Sequence, residues 1–142
     1  MNVIRGYVGI PYMDKGRSFE GCDCYGLPWL IYRRVAGILL PVYDWISSAD
    51  TIAFGRAMRD ETESGRWRRL DRDETPQPFD LVSMIDTPKP GARAWHCGIV
   101  AAPGTLLHSE RGVGSHLTDL ARPEIAPRLK EFFRHLDVEA RQ

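Results

Sequence analysis

The chain has 142 residues, 43% of them apolar and 27% charged, which is enough to build one soluble domain around its own core. Nineteen basic residues balance nineteen acidic ones, so no net field draws the chain to nucleic acid or to a charged membrane. Three cysteines, with Cys22 and Cys24 one residue apart, argue against a disulfide framework and fit free thiols in a reducing compartment.

The N-terminus Met1-Asn2-Val3-Ile4-Arg5-Gly6 lacks the basic and apolar regions of a secretory signal. No apolar run approaches the roughly 18 residues of a membrane span. The expectation is synthesis in the cytoplasm without a signal peptide, and no membrane insertion.

Residues 6–21 are rich in glycine and turn formers (Gly6, Gly9, Pro11, Gly16, Gly21) and predict a shaped loop leading into the first main helix. That helix opens with Asp23 as N-cap and Cys24 at its first position. Leu27, Leu30, Ile31 and Val35 form an amphipathic stripe, and Gly37 is the C-cap. Pro28 is tolerated because it falls near the first turn, where backbone N–H groups lack helical partners. A second helix is predicted from Ser47 or Ser48 to about Glu63, with Ile52, Phe54, Ala57 and Met58 inward. Trp67–Leu70 reads as a short extended piece.

Pro76 and Pro78 precede a strand over 79–85. A hairpin-type loop over 86–93 leads to a strand over 94–101, then Pro103-Gly104 turns into a strand over 105–109 and another over 112–118. The segment 128–136 suits either helix or strand. Helices first and antiparallel strands after them make an α+β layout in one domain, 1–142.

The chemistry concentrates at one thiol and two imidazoles. A thiol at a helix N-terminus is biased toward thiolate, a histidine in reach supplies a base, and a second polar side chain can orient that base. Cys24, His96 and His108, in that order, read as a cysteine hydrolase. Cys22 and Cys97 read as small packing residues, and His116 and His135 as surface or packing residues. Cysteines and histidines are also zinc and iron–sulfur ligand types, but the alternate pair Cys22 and Cys24 does not make a tetrahedral knuckle, so no metal and no cofactor are expected. The basic run Arg66, Arg68, Arg69 and Arg72 reads as a solvated face or a contact for an assembly partner.

Five fragments carry a resemblance: Gly9-Ile10-Pro11-Tyr12, Gly21-Cys22-Asp23-Cys24-Tyr25-Gly26-Leu27, Asp80-Leu81-Val82, His96-Cys97-Gly98-Ile99-Val100, and His108. Together they resemble the NlpC-type peptidases, papain-like cysteine hydrolases that cut peptidoglycan stem peptides. The resemblance implies a papain-like fold, with N-terminal helices packed on a mainly antiparallel sheet. It implies Cys24 as nucleophile, His96 as general base, His108 orienting that base and Tyr12 beside the oxyanion site. It also implies Asp23 at the substrate amine and Tyr25 at the substrate groove, where the family usually has a small serine.

The variant Asp23-Cys24-Tyr25-Gly26-Leu27, with Tyr32-Arg33-Arg34 and Phe132-Phe133-Arg134-His135, is similar to a branch found in tailed-phage and prophage tail modules. That branch implies a virion-tail location, other tail-tip proteins as partners, and peptidoglycan as substrate. The alternative expectation is a structural tail-tip or tail-assembly protein that keeps the fold with little or no catalysis.

Overall fold

The computed structural model describes residues 3–85 and 95–142; the hairpin-type loop expected over 86–93 lies outside them. The glycine-rich N-terminal segment is folded. A 3-10 turn, Val3–Tyr7, buries Ile4 and Tyr7. Strands β1 (Arg17–Ser18) and β2 (Gly21–Cys22) then form a small antiparallel hairpin. Tyr12 bridges Cys22, the Cys22 N–H donating to Pro11 O at 3.0 Å and the Met13 N–H to Cys22 O at 3.1 Å. This lacing carries Tyr12 to the segment that holds Cys24.

Helix α1 spans Gly26–Ile31, and all six residues are buried. It is a core helix rather than the amphipathic one expected, because loop, sheet and the 38–43 segment cover it on every side. Exposed side chains appear only at Arg33 and Arg34, in the π-type turn Tyr32–Ala36 that prolongs it. Gly37 stops the helix with φ 68°, a left-handed cap that favours glycine. Asp23 caps it by hydrogen bonding: its carboxylate accepts from the Gly26 N–H at 2.7 Å and its carbonyl from the Leu27 N–H at 3.2 Å.

Helix α2 spans Thr51–Thr62, starting later than expected, with Asp50 accepting from the Ala53 N–H at 3.1 Å. Ser47 and Ser48 are drawn off instead by Asp14, whose oxygens accept from the Ser47 hydroxyl at 2.5 Å and the Ser48 N–H at 2.9 Å. Phe54, Ala57 and Met58 face the core as predicted, whereas Ile52 is 74% exposed.

The main sheet is antiparallel, with order β3–β8–β4–β5–β6–β7 among the described residues. Its strands are β3 (Trp67–Arg69), β4 (Leu81–Ile85), β5 (Trp95–Ala102), β6 (Thr105–Glu110), β7 (Gly114–Asp119) and β8 (Leu129–His135). A short helix α3, Leu136–Ala140, follows. The ambiguous segment is therefore a strand, inserted between β3 and β4 by pairing Phe133 with both Arg69 and Leu81.

Ile99 and Leu107 join the core against α1, while Val100 and Leu106 pack on the opposite face with Met84 and Ile125. Three members of the basic run are paired locally: Arg66 with buried Glu61, Arg68 with Glu74 and Glu139, and Arg69 with Glu131. Among the described residues no helix is long and apolar enough to cross a membrane.

Candidate active site

Three elements converge on Cys24: the Tyr12 segment, the entry to α1, and the start of β5. The resulting cleft, about 430 Å³, is lined by Tyr12, Cys24, Ser48, Trp95, His96 and Glu110, with Arg111 at its rim. A larger hollow of about 600 Å³ lies alongside, between α2 and strands β4 and β8. It shares Thr51 and Trp95 with the cleft and contains none of the cysteine or histidine groups.

The two histidines predicted as base and orienter are in contact. His96 Nε2 and His108 Nδ1 are 2.8 Å apart, and both rings are buried. Gly98 makes this approach possible: a Cβ there would stand 2.9 Å from the His108 Cβ and 2.7 Å from Leu106 Cδ1. Hydrogen bonding from the Cys97 thiol, then hydrogen bonding and positive charge from His96, pull the Cys24 thiol down to about 6. They do so against its burial and the negative charge of Asp23. Burial first, then the charges of His96, His116 and Arg128, pushes His108 down to about 2, so it stays neutral beside its partner. At the α1 terminus the Gly26 N–H is taken by the Asp23 carboxylate and the Leu27 N–H by the Asp23 carbonyl.

Tyr12 lies at the cleft, its hydroxyl 2.5 Å from Ser48 Oγ and its ring 5.1 Å from the Arg111 guanidinium. Burial raises its phenol to about 12, keeping the proton available for donation. Burial and the Asp23 charge likewise lift Cys22 to about 12, leaving it a thiol at neutral pH.

Asp23 and Tyr25 lie beneath the cleft rather than in it. Asp23 is fully buried; its oxygens accept from the Lys15 N–H at 3.0 Å, the Arg17 guanidinium at 2.9 Å and the Gly26 N–H. Tyr25 is also fully buried, donating its hydroxyl to Pro41 O at 2.6 Å and meeting Tyr43 edge-on. With no exposed surface, neither side chain lines the cleft.

Three residues read as packing or passed over belong to the site. Cys97 touches Cys24: its Sγ stands 3.1 Å from Cys24 O, and its single S–H serves either that carbonyl or the Cys24 sulfur. His116 stacks on His108 with ring centres 4.5 Å apart. Glu110 reaches both of those histidines. The available signal was strand alternation, which puts Glu110 on the His108 face. His96, His108 and Glu110 also carry ligand-type atoms within 4.8 Å of one another. The Arg128 guanidinium, 3.4 Å from Glu110 Oε2, opposes a further cation there.

No family model matches the chain, and no curated protein matches it. Solved structures do. An NLP/P60 family protein from Staphylococcus aureus superposes with a TM-score of 0.61 at 23% identity, over 93% of this chain and 38% of that one. An NlpC/P60 family protein from Bacillus cereus gives 0.65 at 21% identity, over 95% and 38%. The NlpC/p60 domain of the peptidoglycan hydrolase SagA gives 0.57 at 17% identity, over 92% of each chain. The chain thus spans about two fifths of the length of the first two proteins and nearly all of the isolated domain. Its architecture, helices on a mostly antiparallel sheet with the thiol at the entry to α1, is the NlpC/P60 fold.

Proposed function

We propose that this chain is a cysteine peptidase that cuts amide bonds of peptidoglycan stem peptides. The observation that carries the proposal is the 2.8 Å His96–His108 contact beside a cleft-lining thiol held near 6. Cys24 gives its proton to His96, and the thiolate adds to the amide carbonyl. His96 returns that proton to the leaving amine, giving a thioester on Cys24. Water, deprotonated by His96, then adds to the thioester and releases the acid and the thiol. The Cys24 N–H and the Tyr12 hydroxyl are the oxyanion donors in this scheme. Asp23 is assigned to positioning the nucleophile, through Arg17 and the α1 entry. Fold likeness to the NlpC/p60 domain of a peptidoglycan hydrolase supports the substrate class.

The motif set around Cys24 and the Phe132-Phe133-Arg134-His135 strand support placement on a phage or prophage tail, among other tail-tip proteins. A purely structural tail role draws on the unusual Tyr25. Because Tyr25 packs into the core, it leaves the cleft open, which favours catalysis.

The test is incubation of purified protein with sacculi and defined muropeptides, read by mass spectrometry. Wild type should release new fragments, and Cys24→Ala should lose activity by roughly a thousandfold or more while remaining folded. Equal cleavage by Cys24→Ala overturns the mechanism. The tail placement fails if mass spectrometry of purified virions does not find the chain.

A further inference from the structure

The contact between His96 and His108 dictates where protons must sit beyond it. His96 turns Nε2 toward His108, which leaves Nδ1 for the Cys24 thiol. When His96 holds the thiol proton, both of its nitrogens are N–H groups, so Nε2–H donates to His108 Nδ1. A neutral His108 then carries its single proton on Nε2. That nitrogen is buried and has no hydrogen-bond partner among the described residues. Glu110 Oε1 stands 3.6 Å from it.

Glu110 is itself held in place. Its Oε1 is 3.2 Å from Nε2 of His116, the residue across the strand pair from His108. Its Oε2 is 3.4 Å from Nη1 of Arg128, a buried guanidinium that also donates from Nε to Ile85 O at 3.1 Å. The carboxylate thus sits at the end of a line running from the Cys24 thiol through His96 and His108.

From this geometry we infer that Glu110 is a positioning residue that holds His108 in the Nε2–H form, so that His108 Nδ1 stays free to accept from His96. The inference rests on the cysteine–histidine reading of the site and deepens it. No proton moves to Glu110. Its negative charge acts along the line, favouring the imidazolium at His96 and hence the thiolate at Cys24. The groups that face this line are Cys97, Asp23 and Tyr12 around Cys24, and His116, Arg128 and Arg111 around Glu110.

The experiment is the pH dependence of Cys24 alkylation by iodoacetamide on the full chain, with the adduct located by mass spectrometry. It needs no substrate, so it separates this inference from the choice of peptidoglycan. Wild type should show an inflection near pH 6. Glu110→Gln, close in shape but uncharged, should move that inflection up by about one unit and slow alkylation at pH 6 about fivefold to tenfold. Glu110→Asp should fall between the two. Asparagine at position 108 can accept from His96 through its amide oxygen and has no ring N–H to hold. In a His108→Asn background, Glu110→Gln should therefore change nothing further.

A wild-type profile in Glu110→Gln overturns the inference. So does an equal shift in both His108 backgrounds, which would make Glu110 a distant charge. So does a raised KM for muropeptides with an unchanged alkylation profile, which would make it a substrate contact. If Glu110→Gln does not fold, the same comparison is made with Glu110→Asp in both backgrounds. A wild-type inflection near the free-thiol value of about 8.5 overturns the cysteine–histidine reading, and this inference with it.

Discussion

Asp23, one residue before the cleft-lining thiol, is fully buried. Its carboxylate joins three pieces of chain: the Lys15 turn, the Arg17 strand and the first turn of α1. Arg17 in turn reaches Gly16 O, Val42 O and Tyr43 O, so this nearly buried ion pair fastens the loop that carries Tyr12. Removing one partner leaves a buried charge uncompensated. Asp23→Ala should cost about 3 kcal/mol, on the order of 10 °C in Tm for a chain of this size, in a thermal unfolding scan. A loss under about 1 kcal/mol would return Asp23 to a substrate role. Cys24, His96 and His108 were legible in the sequence because each sits in a short local motif. Cys97 and Glu110 were not. Cys97 acts where segments far apart in sequence meet, 73 residues from the Cys24 carbonyl, whereas Glu110 is two residues from His108 and is fixed there by Arg128, 18 residues further on.

At the level of elements, β5 and β6 set the distance between His96 and His108, and Gly98 sets how closely they pack. A methyl at that position meets the Leu107 carbonyl at 3.0 Å as well as Leu106 and His108, and backbone cannot step aside cheaply. Gly98→Ala should cost about 1–3 kcal/mol of stability and displace His108. Such a displacement should lower kcat/KM by roughly tenfold to a hundredfold, measured on a defined muropeptide. Near-normal kinetics would show that the strands can separate without disturbing the pair. Strand periodicity placed β4 to β7 to within a residue or two, because turns and alternation are local signals. It left β8 undecided, since residues 128–136 include good helix formers while Phe132 and Phe133 suit a strand, and pairing with two strands far away in sequence decided it. Helix α1 looked one-sided for a related reason: the segments that cover its other faces come from outside its own window.

The molecule as a whole carries the cost of keeping imidazoles neutral inside it. His108 is lowered from 6.5 to about 2, chiefly by burial, and burial also lowers His135. Above pH 6.5 such a histidine is neutral in both folded and unfolded chains and costs nothing. Below it the unfolded chain binds the proton and the folded one does not, so stability falls as pH drops. For His108 alone the loss is about 2 kcal/mol by pH 5. Tm should therefore drop between pH 7 and pH 5, before most carboxylates titrate, and His108→Asn should flatten the slope. A Tm that is level across this range, or a slope unchanged in His108→Asn, would show that His108 takes up a proton without unfolding.

The position of β8 also sets an order of events during synthesis. Strands β4 to β7 follow one another and can pair as the chain emerges, but β3 has no partner until residues 129–135 arrive. A chain halted before that point already contains Cys24, His96 and His108, yet it presents two open strand edges and an unfilled apolar slot where Phe133 belongs. The unfinished polypeptide is therefore a sticky species that a ribosome-bound chaperone would be expected to shield, and rare codons just upstream of Leu129 would lengthen its exposure.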